Sequence, residues 1–136
     1  MNALPPTLPI RTECPPGACV CDRDALLQDP QADARVRLLT REEENRLLQR
    51  LEQITSLADL RRLQDRMEQQ LGIRLTIAPG PNEVRTLRGI TILVHEQRGL
   101  CRKTRQSIPA AIRQALERRP EISYELLDEG GLFGAP

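Results

Sequence analysis

The stretch LGIRLTIAPG, residues 71–80, marks the point where the hydrophobic pattern of the chain changes its period. Before it, apolar residues recur every three or four positions, which is typical of one face of a helix. Gly72 ends that pattern, and from Ile73 onward apolar and polar residues alternate, as in a strand with one buried face. Helical segments followed by strand segments in one small chain predict an α+β fold.

Two helix starts are predicted upstream of this change. Thr40 with Glu43 fits a capping box, in which the threonine side chain accepts a hydrogen bond from a backbone N–H three residues later. Ser56 with Asp59 offers a second start. The apolar spacing also fits one long helix over residues 41–71, but the second cap favours two antiparallel helices, an αα-hairpin.

A second strand and a further helix are predicted downstream. GITILVHE, residues 89–96, alternates like the first strand, and we expect the two to pair antiparallel. Ser107 or Thr104 is predicted to cap the next helix, with Pro109 in its first turn and Pro120 at its end. The expected fold class is therefore α+β: an αα-hairpin, then a two-stranded antiparallel ribbon, then a packing helix.

The N-terminal segment differs in character from the rest of the chain. Prolines crowd residues 1–22, where no hydrophobic period is visible, while residues 34–39, ARVRLL, have the composition of a short strand. We expect an extended Pro/Cys-rich arm over residues 1–39, carrying a metal-ligand loop, and a small α+β domain over residues 40–136. The core over residues 40–128 is predicted to fold without the arm.

Composition excludes several classes of protein. The 136 residues include no Trp, one Tyr and one Phe, so the core must be aliphatic and no aromatic platform for single-stranded nucleic acid can be built. Residues 73–119 carry 10 basic and 3 acidic residues, a net charge of +7, although the whole chain has a net charge of +1. The sequence contains neither a Gly-x-Ser-x-Gly elbow nor a phosphate-binding glycine loop, so we expect no enzyme.

The location of the protein is predicted from two absences in the sequence. No run approaches the ~18–20 apolar residues of a membrane-spanning helix, and the proline-rich start lacks the apolar run of a signal peptide. We therefore expect a cytoplasmic protein with no membrane partner. In a reducing compartment, clustered cysteines more often bind metal or take part in redox chemistry than form structural disulfides.

Three of the four cysteines lie in ECPPGACVC, residues 13–21. Neighbouring thiolates repel one another unless a cation or cluster neutralises them, and they are the soft ligands that zinc and iron–sulfur clusters prefer. The spacing Cys-x4-Cys-x-Cys is one residue short of the plant-type [2Fe–2S] ligand pattern. Cys101 is the remaining cysteine, and His95, the single histidine, is the alternative fourth ligand. The predicted ligands of an iron–sulfur cluster or zinc are Cys14, Cys19, Cys21 and Cys101.

Cys101 lies in a basic loop just before the predicted helix. Cations and a helix N-terminus both stabilise a thiolate, which suits a metal ligand and equally a redox thiol. The same cations would suit an anionic partner, although the near-neutral chain and the missing aromatics argue against nucleic acid. The residues that would contact nucleic acid are Arg98, Arg102, Lys103 and Arg105.

These patterns support three functional hypotheses. The first is a small non-enzymatic metal-binding protein that acts as an accessory or sensor. The second is an interaction module with structural cysteines, whose Arg-rich half docks on an acidic or nucleic-acid partner. The third is a thiol redox protein. The two apolar helical stripes, centred on Leu51 and Leu63, would serve either as core or as a surface for a protein partner or a second copy.

Overall fold

The computed structural model describes Cys21, Leu26 and residues 28–79 and 90–129. Of residue 129 it describes the backbone alone. Within that part, the elements are a 3₁₀ turn at Arg35–Leu38, α1 at Arg41–Glu52, α2 at Leu57–Arg66, a π-helical turn at Met67–Leu71, β1 at Leu75–Pro79, β2 at Ile90–Val94, α3 at Arg102–Arg118 and α4 at Pro120–Glu129. Helix α3 packs against α1 and β2, and α4 packs against α3, α2 and β1. The predicted α+β class is confirmed.

Both helix starts predicted from caps are confirmed. The Thr40 side chain accepts a hydrogen bond from the Glu43 N–H at 3.3 Å, and the Ser56 side chain accepts one from the Asp59 N–H at 3.1 Å. Residues 53–56 leave the helical conformation between α1 and α2. Two helices therefore replace the single long helix, because the second cap satisfies donors that a continuous helix would bond to its own backbone.

The end of α2 widens into the π-helical turn, which the sequence pattern did not predict. The turn closes at Gly72, whose φ of +69° is in the left-handed region, and its N–H donates to the Glu68 carbonyl. A side chain at this position would also meet Asp33, since a Cβ atom would lie 2.7 Å from Asp33 Oδ2. The backbone conformation therefore favours glycine here, and a side chain would also displace the carboxylate of Asp33.

The ribbon formed by β1 and β2 is antiparallel, as predicted, and its register runs from Leu75 opposite Val94 to Pro79 opposite Ile90. Side chains from the helices cover parts of its two outer edges. Arg61 in α2 donates to the Ile77 carbonyl at 3.2 Å, and Arg113 in α3 donates to the Ile90 carbonyl at 3.1 Å. These bonds satisfy backbone groups that would otherwise offer a template for another strand.

The strand predicted over residues 34–39 is wrong, because this segment forms the 3₁₀ turn. Asp33 starts the turn by accepting hydrogen bonds from the backbone and side chain of Arg35. Val36 and Leu39 are three residues apart and both buried, which matches a turn of three residues and not the alternation of a strand. They belong to the core together with Leu26, so part of the predicted arm packs inside the fold. Independent folding of residues 40–128 stays a prediction.

The start of α3 also differs from the prediction. Cys101, not Thr104 or Ser107, is the N-cap residue, and Pro109 lies inside the helix beyond its first turn. The Ser107 hydroxyl donates back to the Lys103 carbonyl at 2.8 Å, one turn earlier in the helix, and so is not available as a cap. Buried residues continue on both sides of the proline, so the face of α3 that packs on the core is uninterrupted.

The core of the described part is aliphatic, as the composition predicts. Tyr124 stays 65% exposed and contributes no buried ring. Residues from the N-terminal segment, all four helices and both strands supply the side chains that fill the interior. The largest fully buried ones are Leu51, Ile54, Leu60, Ile73, Ile90, Leu100, Ile108, Ile112, Leu116, Ile122, Leu126 and Val36.

An ion pair joins α1 to α2 across their connection. The Arg50 guanidinium donates to both oxygens of Asp59, at 2.5 and 3.1 Å, and the Thr55 N–H donates to the same carboxylate. The hydrogen bonds from Arg50 hold the pKa of Asp59 below its usual range, although burial of the carboxyl opposes this. Asp59 therefore both starts α2 and ties it to the end of α1.

Replacing Leu51 with alanine should destabilise the protein strongly. Leu51 is fully buried, so the change removes transfer energy and leaves a cavity, which costs about 2–5 kcal/mol. Leu93→Ala is the matched control, because Leu93 is 52% exposed and should cost less than about 0.5 kcal/mol. Urea unfolding of both variants measures the difference. A Leu51→Ala protein as stable as wild type but altered in mass would show that this stripe is an interface.

The Arg50–Asp59 pair should make stability depend on acid pH. A carboxyl whose pKa is lowered by folding stabilises the native state above the unfolded-chain value of about 3.9, and this contribution is lost as pH falls through the lowered value. In Asp59→Asn, the free energy of unfolding should therefore fall less steeply below about pH 4 than in wild type. Asp65→Asn, at an exposed position of α2, is the control. Equal slopes for wild type and Asp59→Asn would contradict the prediction.

Candidate metal–thiolate site

The loop between β2 and α3 carries Cys101 to the start of the helix. Gly99 turns the chain with a φ of +84°, and the Leu100 N–H closes the turn on the Gln97 carbonyl at 3.2 Å. Cys101 follows in an extended conformation as the N-cap residue, with 0% of its surface exposed. Its side chain makes no capping hydrogen bond to the helix backbone.

A backbone hydrogen bond brings the end of the cysteine-rich segment to this loop. The Gly99 N–H donates to the Cys21 carbonyl at 2.6 Å, and Cys21 is itself buried, with 6% of its surface exposed. Gly99 is only two residues from Cys101 in the chain. Two of the predicted ligands, far apart in sequence, are therefore both buried, and the backbone of one is bonded to the loop that carries the other.

Close packing fixes this approach. A Cβ atom on Gly99 would lie 2.5 Å from Leu26 Cδ2 and 3.0 Å from Val36 Cγ1, distances at which the neighbours would have to move. Leu26 follows Cys21 by five residues, so the contact with the core anchors the end of the cysteine-rich segment. The sequence analysis did not identify Gly99, although a glycine between a strand and a helix is a general signal of a special turn.

The basic residues around Cys101 are partly neutralised. Arg98 pairs with Asp29 at 3.3 Å, and Arg105 lies 4.0 Å from a Glu96 carboxylate oxygen. The other two predicted cations, on the first turn of α3, are exposed, and no acidic residue lies in that turn. Positive charge thus remains where the helix dipole is also positive, and both favour an anionic sulfur at the N-cap position.

The structure accounts for only part of the predicted ligand set. Cys14 and Cys19 lie outside the described residues, while the Cys21 backbone bonds to Gly99, two residues before Cys101. His95, the alternative ligand, places its Nε2 atom 2.7 Å from the Thr76 hydroxyl across the ribbon. Among the described residues, no three histidine, cysteine or carboxylate side chains are grouped so that they could hold a metal ion.

A separate groove runs between the 3₁₀ turn, α1 and the end of α2. Its volume is about 480 Å³, and none of the predicted ligands lies in it. The apolar lining residues include Leu47 and Leu63, and the π-helical turn contributes Met67. Three arginines and two glutamates also line it. Arg46 pairs with Glu42 and Glu43, and Arg50 pairs with Asp59, whereas Arg66 takes part in none of the ion pairs found in the described part of the chain.

Comparison with known proteins gives no match to a family model, to a curated protein or to a solved structure. The site must therefore be interpreted from its own residues. In the part of the chain that the structure describes, no helix has both the length and the apolar composition that crossing a membrane requires.

Gly99→Ala should loosen the attachment of Cys21. The new methyl group would clash with Leu26 and would hold a non-glycine residue at positive φ, which costs about 1–2 kcal/mol before any clash. We expect faster alkylation of Cys21 under native conditions, measured by mass spectrometry. Gly72→Ala is the matched control, because it introduces the same strain far along the chain from the cysteines. Equal alkylation rates in the two variants would contradict the prediction.

Proposed function

We propose that the protein is a small non-enzymatic metal-binding protein, an accessory or sensor, with one metal centre. The observation that supports this proposal is the hydrogen bond from the Gly99 N–H to the Cys21 carbonyl, which brings Cys21 to the loop of Cys101. Cys21 is the last of the three cysteines in residues 13–21, and Cys19 is only two residues before it in the chain. The proposed ligands are Cys14, Cys19, Cys21 and Cys101.

The surroundings of the two described cysteines suit metal-bound thiolates. Both are buried, so water has little access to a metal–sulfur bond there. Burying the charge of a thiolate is costly, and a bound cation or cluster offsets that cost. An all-cysteine ligand set fits zinc and iron–sulfur clusters, because soft sulfur ligands and tetrahedral geometry suit both.

The chain positions of the proposed ligands explain why a sensor or accessory role is favoured over catalysis. Three ligands precede α1, and the fourth begins α3, so a bound metal would tie the N-terminal segment to the start of a core helix. Binding or loss of the metal would therefore change how that segment is held. A centre with four protein ligands also leaves no open position for a substrate.

Metal analysis of protein purified without oxygen tests this proposal. Wild type should contain iron with sulfide, or zinc, in a fixed ratio to the chain, and Cys101→Ser and Cys21→Ser should lose most of it. His95→Gln is the matched control and should keep the metal, because the His95 ring is engaged by Thr76. Wild-type protein that stays without metal after reconstitution with zinc, and with iron and sulfide, would overturn the proposal. A Cys21–Cys101 disulfide in that protein would favour the thiol redox alternative.

The groove supports a second candidate function, an interaction module. Its apolar lining would suit the apolar face of an amphipathic helix, and Arg66 would pair with an acidic residue next to that face. The exposed Arg102 and Lys103 add a second cationic surface. We propose an acidic protein and not a nucleic acid as the partner, because Arg98 and Arg105 are already engaged by carboxylates and fewer cations are left for phosphates.

Affinity for an acidic amphipathic peptide should fall with rising salt concentration and in the Arg66→Gln variant. An unchanged affinity in Arg66→Gln would contradict docking at the groove.

A further inference from the structure

The first turn of α3 buries a hydroxyl group that has no hydrogen-bond partner among the described residues. Thr104 is 1% exposed, and its Oγ1 atom makes no hydrogen bond to any of them. Leaving a buried polar group unsatisfied costs about 1–3 kcal/mol, so such groups in native proteins call for an explanation. Valine has the same shape and would fill this place without the penalty.

Thr104 occupies a defined position relative to Cys101. The two residues occupy the N-cap and N3 positions of α3, whose side chains reach toward each other in a capping box. Cys101 is fully buried, and Ile108, one turn beyond Thr104, is buried as well. Both side chains are therefore shielded from solvent at the positive end of a 17-residue helix.

We propose that the Thr104 hydroxyl donates a hydrogen bond to the sulfur of Cys101 when that sulfur is a metal-bound thiolate. This inference rests on the proposed metal-binding function and assigns to its centre a positioning residue outside the ligand set. A neutral thiol is a weak hydrogen-bond partner, whereas a thiolate is a strong acceptor. The donor that has no use in the thiol form gains its partner in the metal-bound form.

Such a bond has two physical consequences. It stabilises the charged form of the ligand, which strengthens metal binding, and it holds the sulfur in one orientation. Hydrogen bonds to cluster sulfurs are also among the factors that set the reduction potential of an iron–sulfur centre. Thr104 would thus tune the centre without touching the metal.

Cobalt binding by the full chain tests the inference. Co²⁺ serves as a coloured substitute for a thiolate-bound metal, and its affinity is measured by competition with a chelator. We expect Thr104→Val to bind Co²⁺ about 10–100-fold more weakly than wild type, the usual effect of removing a partner of a metal ligand. The sulfur-to-cobalt charge-transfer band should shift as well, because the hydrogen bond changes the electron density on sulfur.

Two control variants separate this role from a merely structural one. Thr104→Ser keeps the hydroxyl and should restore most of the affinity and the position of the band. Ser123→Ala removes the other buried side-chain hydroxyl of the described chain that lacks a partner, but in α4, and should leave both unchanged. Melting curves of the apo-proteins show whether each variant folds, and Thr104→Val is expected to be at least as stable as wild type.

The outcomes distinguish this inference from the proposed function. Wild type and Thr104→Val with equal affinity and the same band would overturn the role of Thr104 and leave the metal centre standing. Equal weakening by Thr104→Val and Thr104→Ser would also overturn it, because the hydroxyl would then not be responsible. Absence of a thiolate–cobalt band in wild type would overturn both proposals.

Discussion

The close approach of Gly99 to Leu26 and Val36 is the contact on which the arrangement of the N-terminal segment depends. At this point the segment before α1, the end of the ribbon and the start of α3 come together, and only a residue without a side chain fits between them. The hydrogen bond from Gly99 to Cys21 forms because the backbones can come this near. Segments that are far apart in the sequence are thus in contact at one side of the core.

The aliphatic composition of the core explains why the N-terminal segment contributes to it. Aromatic side chains bury large areas each, and a chain almost without them must draw leucine, isoleucine and valine from every element. Val36 and Leu39 are therefore part of the core although they precede the first helix. Since packing density in protein interiors is close to that of a crystal, each of these smaller side chains has to fit its neighbours closely.

The buried polar side chains of the described residues differ in whether the fold supplies them with hydrogen-bond partners. Asp59 is buried, but Arg50, Thr55 and the cap at Ser56 meet its hydrogen-bonding needs. Thr104 in the first turn of α3 and Ser123 in α4 are buried with no side-chain hydrogen-bond partner among the described residues. At Thr104 the proposed metal-bound thiolate of Cys101 would supply such a partner, whereas nothing in the fold explains the hydroxyl of Ser123.

Local patterns in the sequence determined the α+β class, the two capped helices, the stop at Gly72 and the antiparallel ribbon, because caps and hydrophobic periods act over a few neighbouring residues. The same patterns identified Cys21 and Cys101 as candidate ligands. They did not show that Val36 lies in a buried turn, that α3 starts at Cys101, or that Gly99 holds Cys21. Only the tertiary structure decided these points, since each depends on contacts between segments that are distant in the chain, and such contacts leave no local period to detect.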